Sequence, residues 1–120
     1  MRRLLPFALA AAILGGCATA TVDVTKTSKG VYASTNPNEV EILTVVPKDR
    51  QFIELATVST TGWKPSDTAT MHNGLRSKSA PIGADAVILV SSGIVTSGAG
   101  LSQTQHLWAT GTAIRYTDHK

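Results

Sequence analysis

Residues 86–90, Ala-Val-Ile-Leu-Val, form an unbroken apolar run entered through Asp85. A strand half-buried on a solvated sheet alternates apolar and polar residues. A run without alternation predicts a central strand covered on both faces. Whatever else the chain forms has to supply two layers of cover around this strand.

One layer is predicted immediately upstream. Ser66 or Asp67 offers a helix N-cap, and Met71, Leu75 and the Lys78 stem then fall on one side at spacings of four and three. The helix starts at Thr68 and ends near Ser79 or Ala80, because Pro81 disfavours helical geometry in the residue before it. Gly83 supplies the left-handed conformation needed to leave the helix.

Three further strands are predicted. Residues 40–46 (VEILTVV) and 52–60 (FIELATVST) flank the turn Pro47-Lys48-Asp49-Arg50, and so short a loop predicts an antiparallel hairpin. Residues 106–116 (HLWATGTAIRY) are the last strand. One of its faces carries Trp108, Thr110, Thr112, Ile114 and Tyr116, with Trp108 expected in the core. The other carries Leu107, Ala109, Gly111 and Ala113, small enough to let a helix approach closely. Residues 91–105, with Gly93, Gly98 and Gly100, read as a long flexible loop, the alternative being a strand extension through residues 94–96. The expected fold is α+β, a four-stranded β-sheet with one helix in the order β-β-α-β-β. A single helix covers one face, so a partner or a second copy is expected on the other.

The beginning of the chain has a different character. Arg2 and Arg3 precede an apolar run from Leu4 to Leu14, which is shorter than the roughly 20 residues needed to cross a bilayer. Leu14, Gly15 and Gly16 then lead into Cys17, the only cysteine. This order is that of a bacterial lipoprotein signal. Leu14, Gly15 and Gly16 are the expected signal-peptidase recognition residues and Cys17 the site of lipidation. Ala18, where an aspartate would favour inner-membrane retention, points to the outer membrane, with the domain facing the periplasm.

The expected organisation is a signal peptide over 1–16, a lipidated N-terminus and Thr/Ser-rich tether over 17–38, a domain over 39–117, and a tail over 118–120. Flexible, the stretch 18–36 would span roughly 25 Å end to end. The alternation Thr21-Val22-Asp23-Val24-Thr25 leaves an extra edge strand as the alternative.

Removing residues 1–16 from the 120 leaves 104, enough for one small domain. Arg2 and Arg3 leave with them, so 11 basic residues become nine against eight acidic ones. No basic stripe remains, and nucleic acid is not an expected partner. With Cys17 used by lipid, no thiol is left for a disulfide, a metal or nucleophilic catalysis.

Residues 75–89 (LRSKSAPIGADAVIL), together with Gly111-Thr112-Ala113-Ile114, resemble a pattern in small bacterial envelope domains of the YbjQ and RcsF type. There a helix ends in a turn of the Gly-Ala-Asp-Ala-Val kind that feeds a buried strand. The resemblance covers about residues 39–116 and implies the α+β fold and an envelope location. RcsF-like domains carry disulfide cysteines that are absent here, and Pro81 stands where such helices carry an ordinary residue. The stress-sensing role is therefore not carried over, and neither is the metal binding attributed to YbjQ-like proteins, because no ligand cluster matches.

The remaining candidates have ordinary readings beside the functional ones. Asp85 could be a ligand or base, but no histidine or second carboxylate adjoins it, and a turn carboxylate accepting from backbone amides explains it. Gly98-Ala99-Gly100 lacks the rest of a phosphate-binding pattern, with Gln103 following and no helix to open. His72, His106 and His119 lack metal-ligand spacing. Trp63, between Gly62 and Pro65, reads equally as a cap on the sheet edge and as an exposed anchor. Gly83, Asp85 and Trp63 are thus the possible turn or interaction residues. No catalytic residue, metal or cofactor beyond the lipid on Cys17 is expected. The expected function is a protein-interaction, assembly or sensing module, with the membrane and a protein partner or second copy as contacts. The alternative is a small-ligand or metal-binding periplasmic module.

Overall fold

The computed structural model describes residues 20–98 and 100–118. Leu14, Gly15, Gly16 and Cys17 lie outside the described residues, as does His119. The strands are β1 (Thr21–Lys26), β2 (Glu41–Leu43), β3 (Phe52–Trp63), β4 (Ala86–Ser97) and β5 (Thr104–Tyr116), and one helix, α1 (Thr68–Ser79), separates β3 from β4. The fold is mixed α+β, with the sheet ordered β1-β3-β5-β4-β2. All pairs are antiparallel except β2 with β4.

Two expectations about this sheet are corrected. It has five strands rather than four, because Thr21–Lys26 pairs along β3 from Thr21↔Thr61 to Lys26↔Ala56. Val22 and Val24 pack toward the core while Thr21, Asp23 and Thr25 face out, so the alternation within the expected tether is a strand signal. The chain stays attached beyond β1. Thr27 and Ser28 N–H donate to the Leu55 carbonyl, Thr35 N–H donates to the Ala80 carbonyl, and Tyr32 packs on the core.

The second correction concerns β2 and β3, which form no hairpin. β2 is only three residues long and runs parallel to β4, with Glu41↔Ala86 and Leu43↔Ile88, at the opposite edge of the sheet. Val40 and Ile42 reach the helix-side core from there, and Arg76 Nε on α1 donates to the Val40 carbonyl at 2.9 Å. Residues 44–51 then cross the sheet to β3.

α1 buries Met71, Leu75 and Ser79, with Ser79 in the inward position expected for the Lys78 stem. Pro81 lies inside a 3-10 turn (Ala80–Ile82) that prolongs the helix, and Gly83 ends it at φ 94°. Under α1 lie Val58, Val87 and the small residues Ala56, Ala109 and Ala113, all buried. Residues 86–88 are buried, with Ala86 and Ile88 on the opposite face from Val87. On that face they pack beside Ile114, Tyr116, Leu43 and Phe52, their same-side neighbours in the sheet, and Arg50 of the crossing segment lies over Tyr116. The chain therefore supplies part of its own second layer at this end of the sheet.

β4 and β5 continue well past the helix. They pair as far as Ser97↔Thr104, so most of the expected loop over 91–105 is a projecting hairpin. A bulge at Val90 separates the two regions: Leu89 faces Gly111, and the next pair is Ser91↔Thr110. A β-carbon on Gly111 would collide with the Ile88 carbonyl oxygen, so the bulge requires a glycine there.

Candidate functional site

Asp85 and Gly83 sit where three parts of the fold meet. Asp85 N–H donates to the Ile114 carbonyl at 2.8 Å, and the Asp85 carbonyl accepts from Glu41 N–H at 3.1 Å. Its carboxylate accepts from Tyr116 N–H at 2.9 Å. The starts of β2 and β4 and the end of β5 are thus joined through one residue. The amide held by the carboxylate is remote in sequence, not in the local turn. Gly83 is closed in by Tyr32 and by the Ala33 carbonyl, and its own carbonyl accepts from Arg115 Nη1 at 2.9 Å. Arg115 also stacks on Tyr32, 5.1 Å from the ring centroid.

Beside this junction is a cleft of about 460 Å³ lined by Thr35, Glu39, Glu41, Arg50, Asp85 and Tyr116 among others. Its charged groups are engaged within the fold. Arg50 pairs with Asp118 at 2.7 Å and lies over the Tyr116 ring at 3.6 Å from the centroid. Burial, reinforced by Glu41, raises the Tyr116 pKa above its ordinary 10.0. Arg50 comes from the crossing segment 44–51, so this contact brings that segment over the second face of the sheet at Tyr116.

Trp63 is half-buried and tied into the fold. Its Nε1 donates to Thr60 Oγ1 at 2.6 Å, and Thr60 Oγ1 donates in turn to the Thr21 carbonyl at 2.6 Å. The ring lies against Gly74 of α1, where a β-carbon would stand 3.2 Å from it. Trp63 thereby joins β1, β3 and α1.

Trp108, expected in the core, is half-buried instead. Its indole lies across Gly93, the opposite residue on β4, where a β-carbon would stand 3.1 Å from Nε1. Around it the open face carries Thr21, Asp23, Ser59, Thr61 and Thr110, lining a shallow hollow of about 250 Å³. A second groove, about 210 Å³, runs between the start of α1 and the hairpin, lined by Met71, His72, Leu89, Ile94, Leu107 and Trp108. Burial, and secondarily Arg76, lowers the His72 pKa below 6.5. His106 is on the projecting hairpin, opposite Val95 and on the same face as Trp108.

Among the described residues, no group of three or more His, Cys, Asp or Glu is placed to hold a metal ion, and no helix is long and apolar enough to cross a membrane. The structure brings Gly83 and Asp85 together and leaves Trp63 at the other end of the sheet. From the sequence, the Arg50–Tyr116 stack is not expected, and the hairpin only as the alternative strand extension through residues 94–96. The first has no local pattern. The second has one, since between Asp85 and Arg115 the chain contains no Asp, Glu, Lys or Arg.

No family model matches the chain, and no curated protein matches it. Among solved structures, the crystal structure of the Francisella virulence factor FvfA, in its orthorhombic form, is similar. The two share 14% identity at a TM-score of 0.52, over 78% of this chain and 96% of that one. At this identity the likeness is one of fold.

Proposed function

We propose that this chain is a lipoprotein of the bacterial outer membrane, held through lipid on Cys17, whose α+β domain serves as a protein-interaction, assembly or sensing module and catalyses no reaction. The observation that carries the reading is the N-terminal pattern: Arg2-Arg3, a short apolar run, and Leu14-Gly15-Gly16 before a single cysteine. Two features of the fold support it. The sheet begins at Thr21, so the domain sits close to its anchor. The conspicuous charged groups, Asp85, Arg50 and Arg115, are spent on holding the fold together. The RcsF- and YbjQ-like pattern across the helix exit belongs to the same reading.

In the native host, Cys17→Ala should abolish palmitate labelling and release the protein from the outer-membrane fraction. Unchanged labelling and fractionation overturn the anchor. For the interaction, a photo-crosslinking residue in place of Thr110, on the open face, should give one defined protein adduct in intact envelopes. A blank result moves weight to the second reading, a small-ligand module using the 460 Å³ cleft at Glu41, Arg50 and Tyr116.

A further inference from the structure

Thr21, Thr61, Trp108 and Gly93 stand opposite one another in a single row across β1, β3, β5 and β4. The chain ahead of Thr21 therefore leaves the sheet at the end toward which the β4–β5 hairpin projects. Cys17 precedes Thr21 by four residues. At ~3.5 Å per residue these reach at most ~14 Å past the row. On β4 the ladder continues from Gly93 to Ser97↔Thr104. That is four residues at ~3.3 Å, or roughly 13 Å, before the tip turns. Four residues are thus long enough to bring an anchor level with the tip, and Thr21 and Gly93 are separated laterally by three strand spacings, about 14 Å.

The two ends of the sheet differ in charge. At the far end stand Glu41, Arg50, Asp85, Arg115 and Asp118. The hairpin carries no Asp, Glu, Lys or Arg and one histidine, His106 opposite Val95; among the described residues, Asp23, Lys64 and Asp67 are the charged ones near its base. Its apolar side chains face water: Leu101 at the tip is fully exposed (107%), Ile94 is 53% and Val95 45% exposed. A neutral tip bearing aliphatic side chains has no ionic group to desolvate on entering a membrane interface, and gains by removing those side chains from water.

We infer that the tip of the β4–β5 hairpin is a second membrane contact, placing Leu101, Ile94 and Val95 in the headgroup layer of the leaflet that holds the Cys17 lipid. This rests on the anchoring proposed above. The contact stays shallow. β2 pairs with β4 only as far as Ile88, so the outer edge of the arm presents backbone N–H and C=O groups that hydrocarbon would leave unsatisfied. Two attachment points fix the direction of the sheet, with the Asp85 junction and its cleft held away from the membrane.

The test uses the full chain, matured in its host and reconstituted alone into vesicles of phosphatidylethanolamine and phosphatidylglycerol. An environment-sensitive dye is attached at Leu101→Cys or, as control, at Asp49→Cys in the crossing segment, and mass spectrometry establishes the lipid on Cys17. The dye at position 101 should emit to the blue and be quenched by iodide several-fold less than the dye at 49, at every protein-to-lipid ratio. Equal iodide quenching at the two positions on lipidated protein overturns the second contact and leaves the anchor standing. Shielding that appears only at high protein density makes the occupant a second copy and also overturns it. An unlipidated Cys17 overturns anchor and second contact together.

Discussion

Two residues do more for this fold than their surroundings in the sequence suggest. Asp85 holds the Tyr116 amide with its carboxylate while its own backbone bonds Ile114 and Glu41. A charged acceptor taken from a part-buried amide costs about 1–3 kcal/mol. Asp85→Ala should lose that much stability in urea titrations of the unlipidated Cys17→Ala chain. Asp85→Asn, which keeps an acceptor oxygen, should lose clearly less. Gly111 is constrained by space, because any side chain there meets the Ile88 carbonyl across the bulge. Gly111→Ala should destabilise by about 3 kcal/mol, read in the same titration. A wild-type midpoint for Gly111→Ala would mean that the bulge can be rebuilt without a glycine.

At the scale of elements, α1 carries a pH dependence. The folded chain holds the His72 pKa below its ordinary 6.5 through burial and the nearby Arg76. As pH falls through 6.5, the unfolded chain takes up the proton first, so stability decreases until the lowered folded-state pKa is passed. His72→Gln should flatten this segment of the stability–pH curve, and an unchanged slope would assign the dependence elsewhere. The helix itself was legible in the sequence, because its signals are local: the spacing of Met71 and Leu75, the break at Pro81, the glycine at 83. So was the last strand, with its small face under the helix. The partner of β2 is not legible there, because a short loop after residues 40–46 is equally compatible with a hairpin and with a crossing. The choice is made by long-range partners, Ala86 through Ile88 on one side and Arg50 on Tyr116 on the other. β1 stands only as the alternative to a tether in the sequence, because its five-residue alternation is weak beside a threonine-rich composition. At the candidate site, the Asp85 turn could be read from its motif, but the distant amide it holds could not.

For the molecule as a whole, the order β1-β3-β5-β4-β2 places the last strand of the chain in the middle of the sheet. β1 and β3 can pair early, since both lie ahead of the helix, but β4 joins them only through β5. Such long-range pairing puts the domain among slow folders, on the millisecond-to-second scale. A chain truncated after Gly100 should therefore show no cooperative unfolding transition, although it retains four of the five strands. A sharp transition in that fragment would contradict the dependence on β5. If the chain is exported from its N-terminus, as the anchoring proposed above requires, β5 at the centre of the sheet emerges after the other four strands. Incomplete chains then lack the strand that closes the sheet, and quality control could tell them from finished molecules by their open middle alone.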